Sequence, residues 1–81
     1  MRLPRDISGA DLAKSLALYG YSVTRQTGSP VRLTTMGHGE HHVTVPAHAQ
    51  LKLGTLAGIV GAVAEHFEVD RNEVAERLFR P

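Results

Sequence analysis

Five histidines and nine lysines and arginines carry the chemistry open to this chain, which has no cysteine and so no thiolate. Three of the histidines, His38, His41 and His42, stand together in HGEHH. Clustered imidazoles suit metal ligation or proton transfer, because an imidazole changes charge near neutral pH. On a strand, His41 and His42 point to opposite faces and cannot hold one ion together. No metal site is therefore expected, and the stretch fits a solvated hairpin tip. His66, near the end of a helical stretch, is placed to offset the negative end of that helix.

Arg25, Arg32 and Lys52 are the candidate anion contacts. Arg25 and Arg32 flank the turn in VTRQTGSPVRL. Alternation puts Arg25 on the inward face with Tyr21 and Val23, and Arg32 on the open face beside residue 30. Lys52 precedes a helix N-terminus, whose free N–H groups favour anions. Each of the three reads equally well as an ordinary exposed base. The net charge is only +1 but unevenly spread. Residues 1–60 hold the bases Arg2, Arg5, Lys14, Arg25, Arg32 and Lys52 against the acids Asp6, Asp11 and Glu40. Residues 61–81 hold Arg71, Arg77 and Arg80 against Glu65, Glu68, Asp70, Glu73 and Glu76. A basic body with an acidic end is compatible with a polyanion on one side, and also with a mixed surface.

The elements that must position these groups fit one small domain, residues 1–81. A missing cysteine excludes a disulfide framework and fits a reducing cytoplasm. No apolar run approaches the roughly 20 residues of a membrane span, and MRLPRDISG lacks a signal-peptide stretch. Ser8 caps a first helix over about 9–19, with Asp11 at the capping-box position and Ile7 and Leu12 as a staple. Gly20 ends it, where positive φ is easy only for glycine. Three short strands follow in YSVTR, PVRLTT and HHVTVP, joined by QTGS and MGHGE. A second helix runs from about Gly54 to Phe67 with a stripe of Leu56, Ile59, Val60, Val63 and Phe67. Gly58 and Gly61 inside it mark close packing against the sheet. Asp70 caps a third helix, with Glu73 at the capping-box position, and Val74, Leu78 and Phe79 form its buried side. The order is α-β-β-β-α-α, an α+β fold with a three-stranded antiparallel sheet and helices on one face. The open face would carry Ser22, Thr24, residue 30, Arg32, Thr34, His42 and Thr44. It has no aromatic platform, so bases stacked on the strands are not expected.

LPRDISGADLAKSLALYGYSVTRQTGS, followed by VTVPAHAQLKLGTLAGIV, resembles the HicA-type toxins of bacterial toxin–antitoxin pairs. The matching residues are Gly20, Tyr21, Arg25, Gly28 and Ser29, then Val45, Pro46, His48, Lys52, Gly54, Thr55, Leu56 and Ile59. The resemblance covers nearly the whole chain. It implies a fold like a double-stranded-RNA-binding domain and an mRNA interferase, a metal-independent endoribonuclease of the cytoplasm. It further implies a HicB-like antitoxin as protein partner, and no cofactor, small molecule or membrane. With the resemblance, Arg25, Gly28, Ser29, Lys52 and Thr55 are expected to contact RNA, and Arg32 joins them from its place on the open face. His48 either contacts RNA, joins in catalysis or holds its own connection by a hydrogen bond.

In that family a catalytic histidine follows the Gly-Ser pair, and here the position is Pro30. Proline has no titratable group and no backbone donor. Loss of a general acid or base typically lowers a rate by about 10² to 10⁴. The expectation is an RNA-binding toxin component with impaired cleavage. The alternative is a non-catalytic antitoxin-binding or general RNA-binding module. Proline is tolerated as the first residue of a strand, so the fold should survive. Pairing Val43 with Leu33 and Val45 with Val31 sets His42 opposite Thr34. That is roughly 13 Å along the strand from residue 30, too far to replace the missing side chain.

Overall fold

The computed structural model describes residues 2–26 and 30–80. The elements are α1 (Gly9–Ser15) with a 3-10 turn (Leu16–Tyr19), β1 (Ser22–Gln26), β2 (Val31–Thr35), β3 (His41–Val45), α2 (Leu53–Phe67) and α3 (Arg71–Phe79). The strands form one antiparallel sheet in the order β1-β2-β3. The expected α+β class and the α-β-β-β-α-α order are both observed.

Local chemistry accounts for the helix ends. Ser8 Oγ accepts from the Asp11 N–H at 3.0 Å, and the staple residues Ile7 and Leu12 are both buried. The first helix does not stay α-helical to residue 19 as expected. It tightens to a 3-10 turn, in which residues three apart eclipse, so that Leu16 and Tyr19 both enter the core. Gly20 follows at φ 81°. Asp70 caps α3 through the N–H of Asn72 at 2.7 Å, one position before the capping-box residue Glu73.

The core lies between one face of the sheet and the helices. Leu33, Val43 and Val45 from the strands meet Leu12, Leu16, Leu56, Val60, Val63 and Val74 from the helices. The predicted register holds: Leu33 pairs with Val43, Val31 with Val45, and Thr34 with His42. A Cβ on Gly9 would collide with the carbonyl of Pro46, and the Gly9 N–H donates to the His48 carbonyl at 2.9 Å. This close approach pins the start of α1 to the connection between β3 and α2. Neither interior glycine of α2 packs on the sheet as expected. A Cβ on Gly58 would meet nothing within 4 Å, and one on Gly61 would touch the Arg71 guanidinium at 3.3 Å. Among the described residues no helix is long and apolar enough to cross a membrane.

Candidate functional site

The face of the sheet turned away from the helices carries a shallow depression of about 480 Å³ lined by Thr24, Arg25, Arg32, Thr34, Met36, Glu40 and His42. Arg25 was expected to face inward, and a β-bulge overturns that. Val23 pairs with Leu33 and Arg25 with Arg32, so Thr24 is an extra residue in β1. A bulge re-aims the side chains that follow it. Here it brings Arg25 to the open face directly opposite Arg32, and both are exposed. Two guanidiniums side by side repel across a strand pair unless an anion lies between them. Their planar forks suit phosphate or carboxylate oxygens.

A chain of hydrogen bonds crosses all three strands beside these arginines. Thr24 Oγ1 lies 2.8 Å from Thr34 Oγ1. Thr34 Oγ1 lies 2.7 Å from His42 Nδ1, and His42 Nε2 lies 2.8 Å from Glu40 Oε2. A carboxylate only accepts, so the neutral imidazole carries its hydrogen on Nε2. Nδ1 is then an acceptor and takes the Thr34 hydroxyl hydrogen, while the Thr24 hydroxyl donates to Thr34. Glu40 and His42, two residues apart, share a side as extended chain requires.

Of the residues that the family pattern singles out, Pro30 and His48 lie toward the other end of the sheet. Pro30 is exposed and immediately precedes β2. Gly28 and Ser29, with Thr27 of the turn, lie outside the described residues. Val45, the last residue of β3, pairs with Val31, so the connection to α2 leaves from the Pro30 end. His48 is exposed there, and its carbonyl accepts from Gly9. Lys52 is the exposed N-cap of α2 and makes no side-chain cap bond, and half-buried Thr55 follows in the first turn. His48, Lys52 and Thr55 do not line the open-face depression. The structure thus brings Arg25 and Arg32 together and leaves Lys52 and Thr55 in the helical layer.

The two neighbouring histidines of HGEHH have separate settings, as alternation required. His42 is on the open face, whereas His41 turns toward α2. There its Nδ1 meets the Tyr21 hydroxyl at 2.7 Å, and its ring stacks on His66 with centroids 4.3 Å apart. His66 Nε2–H donates to the carbonyls of Gly37 and Gly39 at 2.7 and 3.0 Å, so it ties α2 to the hairpin loop. That bond adds a role to the charge partner expected at this helix end. Burial lowers the His41 pKa from its ordinary value, His66 and then His42 lower it further, and Glu65 opposes them. Burial pushes the Tyr21 hydroxyl up to about 12, so it keeps its proton. Among the described residues no group of three or more His, Asp or Glu side chains is arranged to hold a metal ion.

Reading the sequence set Thr24 on the open face, where it lies, but missed Glu40. Glu40 could have been found from its spacing of two from His42. Comparisons with protein-family models, curated proteins and solved structures return no match, so the chemistry of this face stands on its own geometry.

Proposed function

We propose that the protein is an RNA-binding toxin component of a toxin–antitoxin pair, resembling the HicA-type mRNA interferases, and that it acts in the cytoplasm. The observation that supports this best is the cross-strand pair Arg25 and Arg32, set among hydroxyls on a face no helix covers. Phosphates along a nucleic-acid strand are the anions that would relieve this pair, and the threonine hydroxyls supply further hydrogen bonds to phosphate or ribose. The start of α2, with Lys52 and Thr55, adds a second phosphate contact from the helical layer. Pro30 occupies the position where the resembled family keeps a catalytic histidine, so cleavage at that point is impaired.

A protein partner is favoured by a different feature. An apolar groove between α1 and β1 is lined by Ala10, Ala13, Val23 and Val31, among others, and Val23 is 51% exposed. β1 is also an edge strand of the sheet. A HicB-like antitoxin is the partner the resemblance supplies for this groove. The test is binding of a fluorescently labelled single-stranded RNA followed by anisotropy across a salt series. Affinity that falls steeply with salt supports the RNA reading, because phosphate contacts release counterions. Absence of RNA binding at low salt, together with capture of the antitoxin, would leave the non-catalytic partner-binding reading.

A further inference from the structure

The hydroxyl–imidazole–carboxylate chain is unexplained by phosphate binding alone. Two arginines suffice to hold a phosphate, and among the described residues neither guanidinium hydrogen-bonds to this chain. The chain has the parts of a proton relay in the right order: a hydroxyl, a base within 2.7 Å of it, and a carboxylate within 2.8 Å of the base. Its polarity is fixed from the Glu40 end, where the carboxylate only accepts. The relay is reachable, since the His42 and Glu40 side chains are 36% and 59% exposed. Arg32 and Thr34 are two residues apart on one face of β2, roughly 7 Å, a span that a long arginine side chain can close.

We propose that Thr34, with His42 as proton acceptor and Glu40 as a positioning residue, forms a metal-free transesterification centre for a phosphodiester that has a neighbouring ribose hydroxyl. This rests on the reading of the open face as an RNA-binding surface, and it places chemistry at the hairpin end rather than at Pro30. A phosphate held by Arg25 and Arg32 presents the adjoining 2′-hydroxyl to Thr34 Oγ1. That hydroxyl gives its proton to Thr34 as Thr34 passes its own to His42 Nδ1. The 2′-oxygen forms a bond to phosphorus, and the bond from phosphorus to the 5′-oxygen of the next nucleotide breaks. The departing oxygen takes a proton from water, and the imidazolium returns its proton to solvent. The products are a 2′,3′-cyclic phosphate and a 5′-hydroxyl, with no change of oxidation state. The arginines stabilise the charge that builds on the phosphorane oxygens. An open face favours a polymer as substrate, because a strand laid across the depression itself excludes the water that would screen these interactions.

The experiment incubates the protein and the variants His42→Gln, His42→Gly, Thr34→Val and Glu40→Gln with a long single-stranded RNA and excess chelator. Cleavage rate, end groups and RNA affinity are measured in parallel, and circular dichroism confirms folding. The expected result is cleavage by the unaltered protein that leaves cyclic phosphate ends. His42→Gln and Thr34→Val should lower kcat by about 10² to 10⁴ with KM little changed. Glu40→Gln should lower kcat in the same sense, and added imidazole should restore cleavage by His42→Gly. Imidazole rescue is an outcome that a purely structural role for His42 would not produce. If the unaltered protein binds RNA but does not cut it, or if His42→Gln cuts at the same rate, the relay is refuted and the RNA-binding reading stands. If the protein binds no RNA, both fall.

Discussion

The most informative perturbation is removal of the two open-face arginines, singly and together. Each guanidinium that neutralises a phosphate on a single strand contributes about 0.7 to the slope of log affinity against log salt. Arg25→Ala or Arg32→Ala should therefore flatten the slope by about 0.7, and the double variant by about 1.4. Between about 50 and about 200 mM salt, the affinity advantage of the unaltered protein over the double variant should shrink by about sevenfold. For each single variant the corresponding figure is about 2.6-fold. Anisotropy titrations at four or five salt concentrations resolve differences of this size. Arg25 is the sharper test of the two. Simple alternation turns it inward, and only the extra residue at Thr24 brings it opposite Arg32. If Arg25→Ala left the slope unchanged while Arg32→Ala flattened it, the phosphate clamp across β1 and β2 would be refuted.

Three further outcomes are expected. Pro30→His should raise RNA cleavage in the presence of chelator by about 10² to 10⁴, and the gain should survive His42→Gln because the two positions lie at opposite ends of the face. Gly58→Ala should stabilise the protein by about 0.5–1 kcal/mol, read as a higher urea midpoint, because the new methyl group meets open space while helix entropy improves. The His41 imidazole has a folded pKa below its ordinary value, so the folded state binds fewer protons than the unfolded chain between those two values. Stability should thus be complete above about pH 6.5 and decline as the pH falls toward the lower folded value. Urea midpoints compared at about pH 7.5 and about pH 5.5 should show the decline, and His41→Gln should reduce it.

Much of the fold was legible because it depends on local rules that do not conflict. Ser8, Gly20 and Asp70 mark helix ends by cap chemistry, and the alternation in PVRLTT and HHVTV fixes both the inward face and the register. Once Leu33 must pair with Val43, His42 must stand opposite Thr34. What could not be read depends on contacts between distant segments. Gly58 and Gly61 look like packing glycines, yet one faces open space and the other an arginine from α3. The close approach that needs a glycine is at Gly9, where the partner is Pro46, far along the chain. The bulge in β1 is of the same kind. Nothing in YSVTRQ says which residue is unpaired, because that follows from how β1 fits against β2.

The division between the two faces of the sheet makes the functional tests interpretable. Stability resides in the layer between sheet and helices, where Leu33, Val43 and Val45 are buried with the helical leucines and valines. The groups with chemical potential on the open face, Arg25, Arg32, His42 and Glu40, are exposed, and Pro30 is exposed at the strand entrance. Substitutions at exposed positions away from caps, buried networks and strained backbone usually shift stability by no more than about 0.5 kcal/mol. Thr34 is half-buried and bonded to both Thr24 and His42, so its replacement also removes cross-strand contacts, each worth about 0.2–1 kcal/mol. Even both contacts together, about 2 kcal/mol at most, fall below the roughly 2.7–5.4 kcal/mol that corresponds, at about 1.36 kcal/mol per tenfold, to a rate loss of about 10² to 10⁴. A Thr34→Val protein that stays folded and loses that much rate has therefore lost chemistry and not merely a strand tie.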